Sequence, residues 1–368
     1  MRPKERSLLR NSSSLPLESF SEDLPFLTVL VITRGRPKLL KEALFSILCS
    51  LEKSHVSFEI LIGINGLDSE STEVANHVLH KKNYRIFESS HANPPGEARN
   101  QIVHHARGQW VYFADDDILV PPTLIDTFAT TVERHPSYDI HGGPNLTPPH
   151  ASAFARMSGL VLSLRTATAS CSKRYGSQLI AGDCDDSSLI LCNLFVRREL
   201  LYGSAFPERG VCAEENAAIA TWRQRGAKTR FEPELAVYHE RRPTHWSFAK
   251  QIFKYGRGRG GLIVARVFRW FHLVPSGCLL LAVTLGFIGA WKSLSILAAS
   301  YVLVLIAGMV PLFRDRQCLL GEVLRSFVLM PLIHLAYGLG VLHGIFIDPG
   351  IQLITARRKT TPSNGSLQ

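Results

Sequence analysis

Apolar and polar positions along the chain fall into two regimes. Between residues 26 and 249, short apolar runs alternate with segments whose apolar residues recur every three or four positions. That alternation predicts strands followed by helices, hence an α/β domain with a mostly parallel sheet. Phe26–Thr33 (FLTVLVIT) is rich in β-branched residues and predicts a buried strand. Pro37 opens a helix running to about Leu51, with Leu39, Leu40, Ala43, Leu44, Ile47 and Leu48 on one face. Phe58–Ile64, Tyr84–Glu88 and Trp110–Ala114 read as further strands, with helices over Ser71–Lys81 and Glu97–Ala106. Ligands of such a sheet gather at the carboxyl ends of its strands.

The second regime is apolar without interruption. Leu273–Trp291 and Leu294–Phe313 are each about long enough to cross roughly 30 Å of hydrocarbon. Trp291 and Lys292 suit an interfacial turn between them, and Arg314 and Arg316 a return to the cytoplasmic side. A third stretch, Phe327–Ile347, carries His334, His343 and three glycines, and either spans or lies in the interface. Arg357, Arg358 and Lys359 favour a cytoplasmic C-terminus, which an odd number of spans would contradict. The organisation expected is a flexible arm (1–25), an α/β domain (26–249), a basic juxtamembrane segment (250–272), a membrane region (273–347) and a tail (348–368).

Charge sharpens this picture. The net charge of +10 suggests a nucleic-acid binder, but its location argues against one. From Lys250 onward there are 13 basic and 3 acidic residues, whereas the first 249 residues hold 28 of each. The excess flanks apolar segments, where it fits anionic lipid. Seven scattered cysteines without C-x-x-C spacing suggest neither a zinc site nor a disulfide framework. The polar first 22 residues lack the apolar core of a signal peptide.

The sharpest chemical signal is Asp115-Asp116-Asp117, directly after the strand WVYFA. Three carboxylates at a strand end call for a cation, and a hard ion such as Mg²⁺ or Mn²⁺ takes oxygen ligands and bridges to phosphate. Alternate residues of an extended chain point the same way, so Asp115 and Asp117 could share one ion. The alternative is an acidic turn before the Pro121-Pro122 helix start.

In order and spacing, VLVITRGRPKLLKEALFSIL, EILIGINGLDSEST, GEARNQIVHHARGQWVYFADDD, CNLFVRRELL, GVCAEENAAIATWRQRGAKTRFEPELAVYHERR and QIFKYGRGRG resemble a family 2 glycosyltransferase over roughly residues 26–260. The resemblance implies the GT-A nucleotide-sugar-binding fold, a Rossmann-like mostly parallel sheet, followed here by the C-terminal transmembrane helices. It places Thr33, Arg34 and Arg36 near the nucleotide. Asn65 stands where the family usually has an Asp pair for the nucleoside. Arg99 would pair with base or phosphate, and Asp115 and Asp116 would lie against the donor. Asp115 and Asp117 match the family's D-x-D metal site, with His239 as a further metal or diphosphate contact.

Glu214-Glu215 falls where the family has its acidic pair near the acceptor. Glu215 is the expected base, with Glu214 as the fallback, for an inverting transfer that must take the acceptor hydroxyl's proton. Gln251, Lys254 and Tyr255 loosely resemble the Q-x-x-R-W motif of processive synthases. With Arg257 and Arg259, Gln251 and Lys254 lie in a glycine-rich basic stretch expected to be flexible and suited to phosphate of donor or acceptor, or to ordinary juxtamembrane charge. The implied donor is a nucleotide sugar, a UDP-sugar in most relatives. The implied acceptor is lipid-linked or a glycan at the cytoplasmic face of a plasma or inner membrane. A processive polysaccharide synthase and an inactive membrane scaffold with the same fold are the competing readings.

Overall fold

The computed structural model describes residues 24–176, 180–203, 205–207, 214–262, 269–314 and 320–348. The arm up to residue 23, Arg266, Arg316 and the tail from residue 349, with Arg357, Arg358 and Lys359, lie outside the described residues.

The chain begins β1 (Leu27–Thr33), α1 (Pro37–Lys53), β2 (Phe58–Ile64), α2 (Ser69–Val78), β3 (Tyr84–Glu88), α3 (Pro95–Val103) and β4 (Trp110–Asp115). These four strands pair in parallel in the order β3-β2-β1-β4. The chain therefore winds outward from β1 to β3 and returns on the other side of β1 as β4. That reversal creates a switch point between β1 and β4, the place where ligands bind in open α/β sheets. Thr33 ends one of these strands and Asp115 the other.

Alternation along β1 explains its placement: Leu27, Val29 and Val31 enter one core with α1, while Leu30 enters a second core across the sheet with Ile102 of α3. At the opposite end, buried Glu59 accepts from Thr28 Oγ1 (2.8 Å), Arg107 N (2.6 Å) and Arg85 Nη2 (2.9 Å). One carboxylate thus ties β1, β2, β3 and the approach to β4 together.

The next elements are β5 (Ile118–Leu119), α4 (Leu124–Arg134), β6 (Ile140–Gly142), β7 (Asn145–Leu146), α5 (Ala153–Leu162), α6 (Arg165–Thr168), β8 (Gly182–Asp183) and β9 (Asn193–Arg197). Then come α7 (Glu214–Gln224), β10 (Thr229–Phe231), β11 (Val237–His239) and α8 (His245–Gly261). Strand β9 runs antiparallel to β4 and β6 and extends the sheet to β6, β10 and β8. A small sheet, β5-β11-β7, sets His239 opposite Ile118, next to the turn after β4.

Three apolar helices close the described chain: α9 (Val274–Phe287), α10 (Trp291–Arg314) and α11 (Leu320–Phe346). Each carries a stretch long and apolar enough to cross a membrane, the first counted from Trp270. Leu280, Leu281, Val283, Leu303, Val304 and Ile306 are among the large side chains they leave exposed.

The glycine-rich basic stretch departs from expectation: most of it is helix α8, not a flexible linker. A Cβ on Gly256 would stand 2.2 Å from Tyr337 O, and one on Gly260 2.3 Å from Val341 O. Gly340 and Gly344 of α11 approach Phe253 O and Arg257 O as closely. Small residues four apart on both helices let the backbones meet, so packing against α11 overrides the weak helix propensity of glycine. A third core joins Met157 and Val161 of α5, Phe248 and Ile252 of α8, Met309 of α10 and Met330 of α11.

Candidate active site

The Asp cluster is not an extended run. β4 ends at Asp115, and Asp116 and Asp117 form the following turn, so the strand alternation that would aim Asp115 and Asp117 alike stops there. Each carboxylate has its own partners. Asp116 is fully buried and accepts from Thr33 Oγ1 at 2.6 Å while pairing with Arg36. Asp117 accepts from Arg36 Nη1 at 2.6 Å, and its Oδ1 lies 3.3 Å from His239 Nε2. Asp115 pairs with Arg99 Nη2 at 3.2 Å.

Burial and crowding split the three. Burial beside Asp117 raises Asp115 above the usual carboxylate range, against the pull of Arg99. Burial pushes Asp116 up to about 6 despite Arg36 and the Thr33 hydrogen bond. Burial also opposes ionisation of Asp117, but His239, Arg36 and Arg242 outweigh it and hold that carboxyl below the usual range.

Arg99, on α3, reaches both halves of the site. Its Nη1 donates to Glu214 Oε1 at 2.9 Å while Nη2 holds Asp115. The Asp cluster and the Glu pair, about a hundred residues apart in sequence, therefore share one guanidinium. Burial beside Glu215 raises the Glu214 carboxyl above its ordinary value, against Arg99. Glu215 is buried on α7 and faces Arg174 Nη1 at 3.4 Å.

The loops beside the cluster shape a groove of about 420 Å³ lined by Arg34, Gly35, Asn65, Gly66 and Asp68. Asp68 fixes both of its walls, accepting from Gly35 N (2.6 Å) and capping α2 through Ser71 N (3.2 Å). Asn65 lies at the carboxyl end of β2, but its amide is engaged by the main chain of Asn93: Nδ2 donates to Asn93 O (3.0 Å) and Oδ1 accepts from Asn93 N (2.8 Å). Its side chain therefore braces the groove.

Arg257 and Arg259 of α8 pair with carboxylates outside the Asp turn and the Glu pair. Gln251 donates to Tyr255 Oη at 3.0 Å, and Lys254 is exposed. Arg257 forks onto Asp348 at 2.8 and 2.9 Å, and buried Arg259 stands 3.7 Å from Asp186.

The donor set fits a divalent cation. Among the described residues, ligand atoms of Asp115, Cys192 and His239 lie within 4.8 Å of one another, and the buried His239 Nδ1 has no hydrogen-bond partner. Asp117 adjoins this trio through His239. Cys192 and Arg174 escaped the sequence reading. Cys192 sits inside the quoted segment CNLFVRRELL, so its place just before β9 was a usable signal; Arg174 lies in a stretch without any motif.

Residues 28–178 match the model of glycosyl transferase family 2. That match makes residues 28–178 a glycosyl transferase family 2 domain. Its fold is that of the mannosyltransferase PcManGT from Pyrobaculum calidifontis, in complex with GDP-Man and Mn²⁺, with a TM-score of 0.54 over 88% of each chain at 14% identity. TarS 1-349 of S. aureus, in complex with UDP, aligns over 93% of this chain and 94% of its own, with a TM-score of 0.47 and 15% identity. No curated protein matches the chain. In this glycosyltransferase the carboxylates sit at the switch point of the sheet, and the Glu pair faces them through Arg99.

Proposed function

We propose that the protein is an inverting, metal-dependent glycosyltransferase. It moves a sugar from a nucleotide-sugar donor to a lipid-linked or glycan acceptor at the cytoplasmic face of a membrane, in surface glycan assembly. The observation that carries this reading is the Arg99 bridge, which sets the carboxylates suited to a metal–diphosphate group beside those suited to an acceptor hydroxyl.

In this reading the loops around Arg34, Asn65 and Asp68 hold the nucleoside, and Thr33 and Arg36 keep the Asp turn in place below the diphosphate. Asp115, Asp117 and His239 would hold Mg²⁺ or Mn²⁺, with Cys192 alongside. When bound, the ion neutralises charge on the departing nucleoside diphosphate. Glu215 takes the proton from the acceptor hydroxyl as it attacks the anomeric carbon from the face opposite the leaving group. Glu214, protonated more readily because of its burial, is the second carboxyl at that edge. Arg99 holds Asp115 and Glu214 at a fixed separation, which supplies orientation. The exposed apolar faces of α9 to α11 support a membrane-proximal acceptor.

The test is release of nucleoside diphosphate by the detergent-purified chain offered UDP- and GDP-sugars, with and without Mn²⁺. The anomeric configuration of the product would be read by NMR. Metal-dependent release from one donor with inverted configuration is expected. Retention, or no release and no nucleotide binding across the panel, would overturn the proposal.

A further inference from the structure

The first turn of α7, which presents Glu214 and Glu215, is gripped from the side of the apolar helices. Buried Arg174 faces Glu215 through Nη1 and donates Nε to Ser187 O and Nη2 to Asp186 O, both at 2.8 Å. Asn216, one residue beyond Glu215, donates Nδ2 to the same Asp186 carbonyl at 2.6 Å. The turn Asp185–Asp186–Ser187 is therefore the common anchor of the glutamate and its arginine. Ser187 N and Oγ close the turn on Asp185 Oδ1 at 2.9 and 2.5 Å.

The carboxylates of that turn are held by the segments that lead into the apolar helices. Arg269, one residue before the first candidate span, forks across Asp185 (Nη1, 2.8 Å) and Asp186 (Nη2, 2.8 Å). Buried Arg259 of α8 approaches Asp186 Oδ2 at 3.7 Å, and α8 is locked on α11 through glycine contacts. Arg174 has the same root by another path. Its segment follows α6, where Thr166 O lies 2.9 Å from His334 Nε2 of α11 and Thr166 packs against Gly308 of α10.

We propose that the Asp185–Ser187 turn is a joint through which the apolar helices set the position of Glu215, with Arg174, Arg259 and Arg269 as positioning residues. The inference rests on the reading of Glu215 as base. The geometry favours a positioning role because each arginine meets fixed acceptors on the turn, and only Arg174 among them reaches Glu215. Among donor-side groups, Thr33, Arg36 and Asp117 share no hydrogen bond with the joint in the described contacts, and Asp115 is linked to the α7 turn through Arg99 and Glu214, not through the joint. A disturbed joint should therefore slow transfer and leave donor capture intact.

The experiment is a double-mutant cycle on the full chain in detergent, using the sugar nucleotide that the wild type turns over. Arg269→Gln is expected to lower kcat at least about tenfold, as a misplaced group commonly does, with donor KM within about twofold. In a Glu215→Gln background the same change should cost less than about twofold, because the group being positioned is already lost. Should Arg269→Gln not fold, Asp185→Asn takes its place, removing one tine of the fork and keeping Asp186. An additive cycle, or a rise in donor KM with kcat unchanged, would overturn the joint. Wild-type turnover is the internal check: without it the reading of the site fails, and with it an additive cycle fails the joint alone.

Discussion

At the scale of single residues, the site is organised by scarcity of positive charge. Five carboxylates, from the Asp turn and the Glu pair, share Arg36, Arg99 and Arg174 as their direct guanidinium partners. The three-Asp run was legible because its chemistry is local. Arg174 was not, since its 41-residue reach to Glu215 leaves no pattern in sequence. Asn65 was found at its strand end, but its engagement by Asn93 depends on a loop 28 residues away.

A different residue contributes to the acid response. His141 is fully buried among Trp110, Phe128 and Tyr138, and neither ring nitrogen has a hydrogen-bond partner. Burial, aided by Arg230 and Arg197, pulls it from 6.5 down to about 3. A folded value below the unfolded one means the stabilisation is complete above 6.5 and is lost as pH falls toward 3. His141→Phe should lose less stability than wild type between pH 7 and pH 5, as read from thermal melts at both. Equal losses would contradict the assignment.

At the scale of elements, strands were the most legible. Phe58–Ile64 and Tyr84–Glu88 keep their predicted bounds, because runs of β-branched and aromatic residues between turn signals have few other solutions. Helix α8 was the least legible: four glycines among cations resemble a linker until α11 is seen to need Gly256 and Gly260. Gly256→Ala and Gly340→Ala should each destabilise by about 1–3 kcal/mol through overpacking. Gly277→Ala, with no atom within 4 Å of its added Cβ, should be neutral or better. Unfolding of the three variants in detergent checks this, and equal effects at all three positions would count against the packing account.

At the scale of the whole molecule, composition separates a neutral α/β part from a basic, apolar one, and a shared core of α5, α8, α10 and α11 crosses that line. Charge alone was less informative. Arg257, Arg259 and Arg269 looked like lipid-facing cations but are matched to Asp348, Asp186 and Asp185. Exposed Trp246, Trp270 and Trp291 suit the level of lipid headgroups. If α9 and α10 cross as a pair, Lys292 lies on the far side from the catalytic domain. An impermeant maleimide applied to sealed vesicles of each orientation should then label Lys292→Cys and the exposed native Cys49 from opposite faces. Labelling of both from one face would exclude the crossing.

The central claim is that one site divides its labour, the Asp turn serving the donor and the Glu pair the acceptor. The most direct measurement is calorimetric binding of nucleoside diphosphate with Mn²⁺, run beside turnover, for wild type, Asp117→Ala and Glu215→Gln. The account predicts that Asp117→Ala loses metal-dependent binding and turnover together. Glu215→Gln should bind as wild type does while turnover falls roughly 10²–10⁴-fold, the usual contribution of a general base. Weakened nucleotide binding in Glu215→Gln, or turnover surviving in it at near the wild-type rate, would contradict the account.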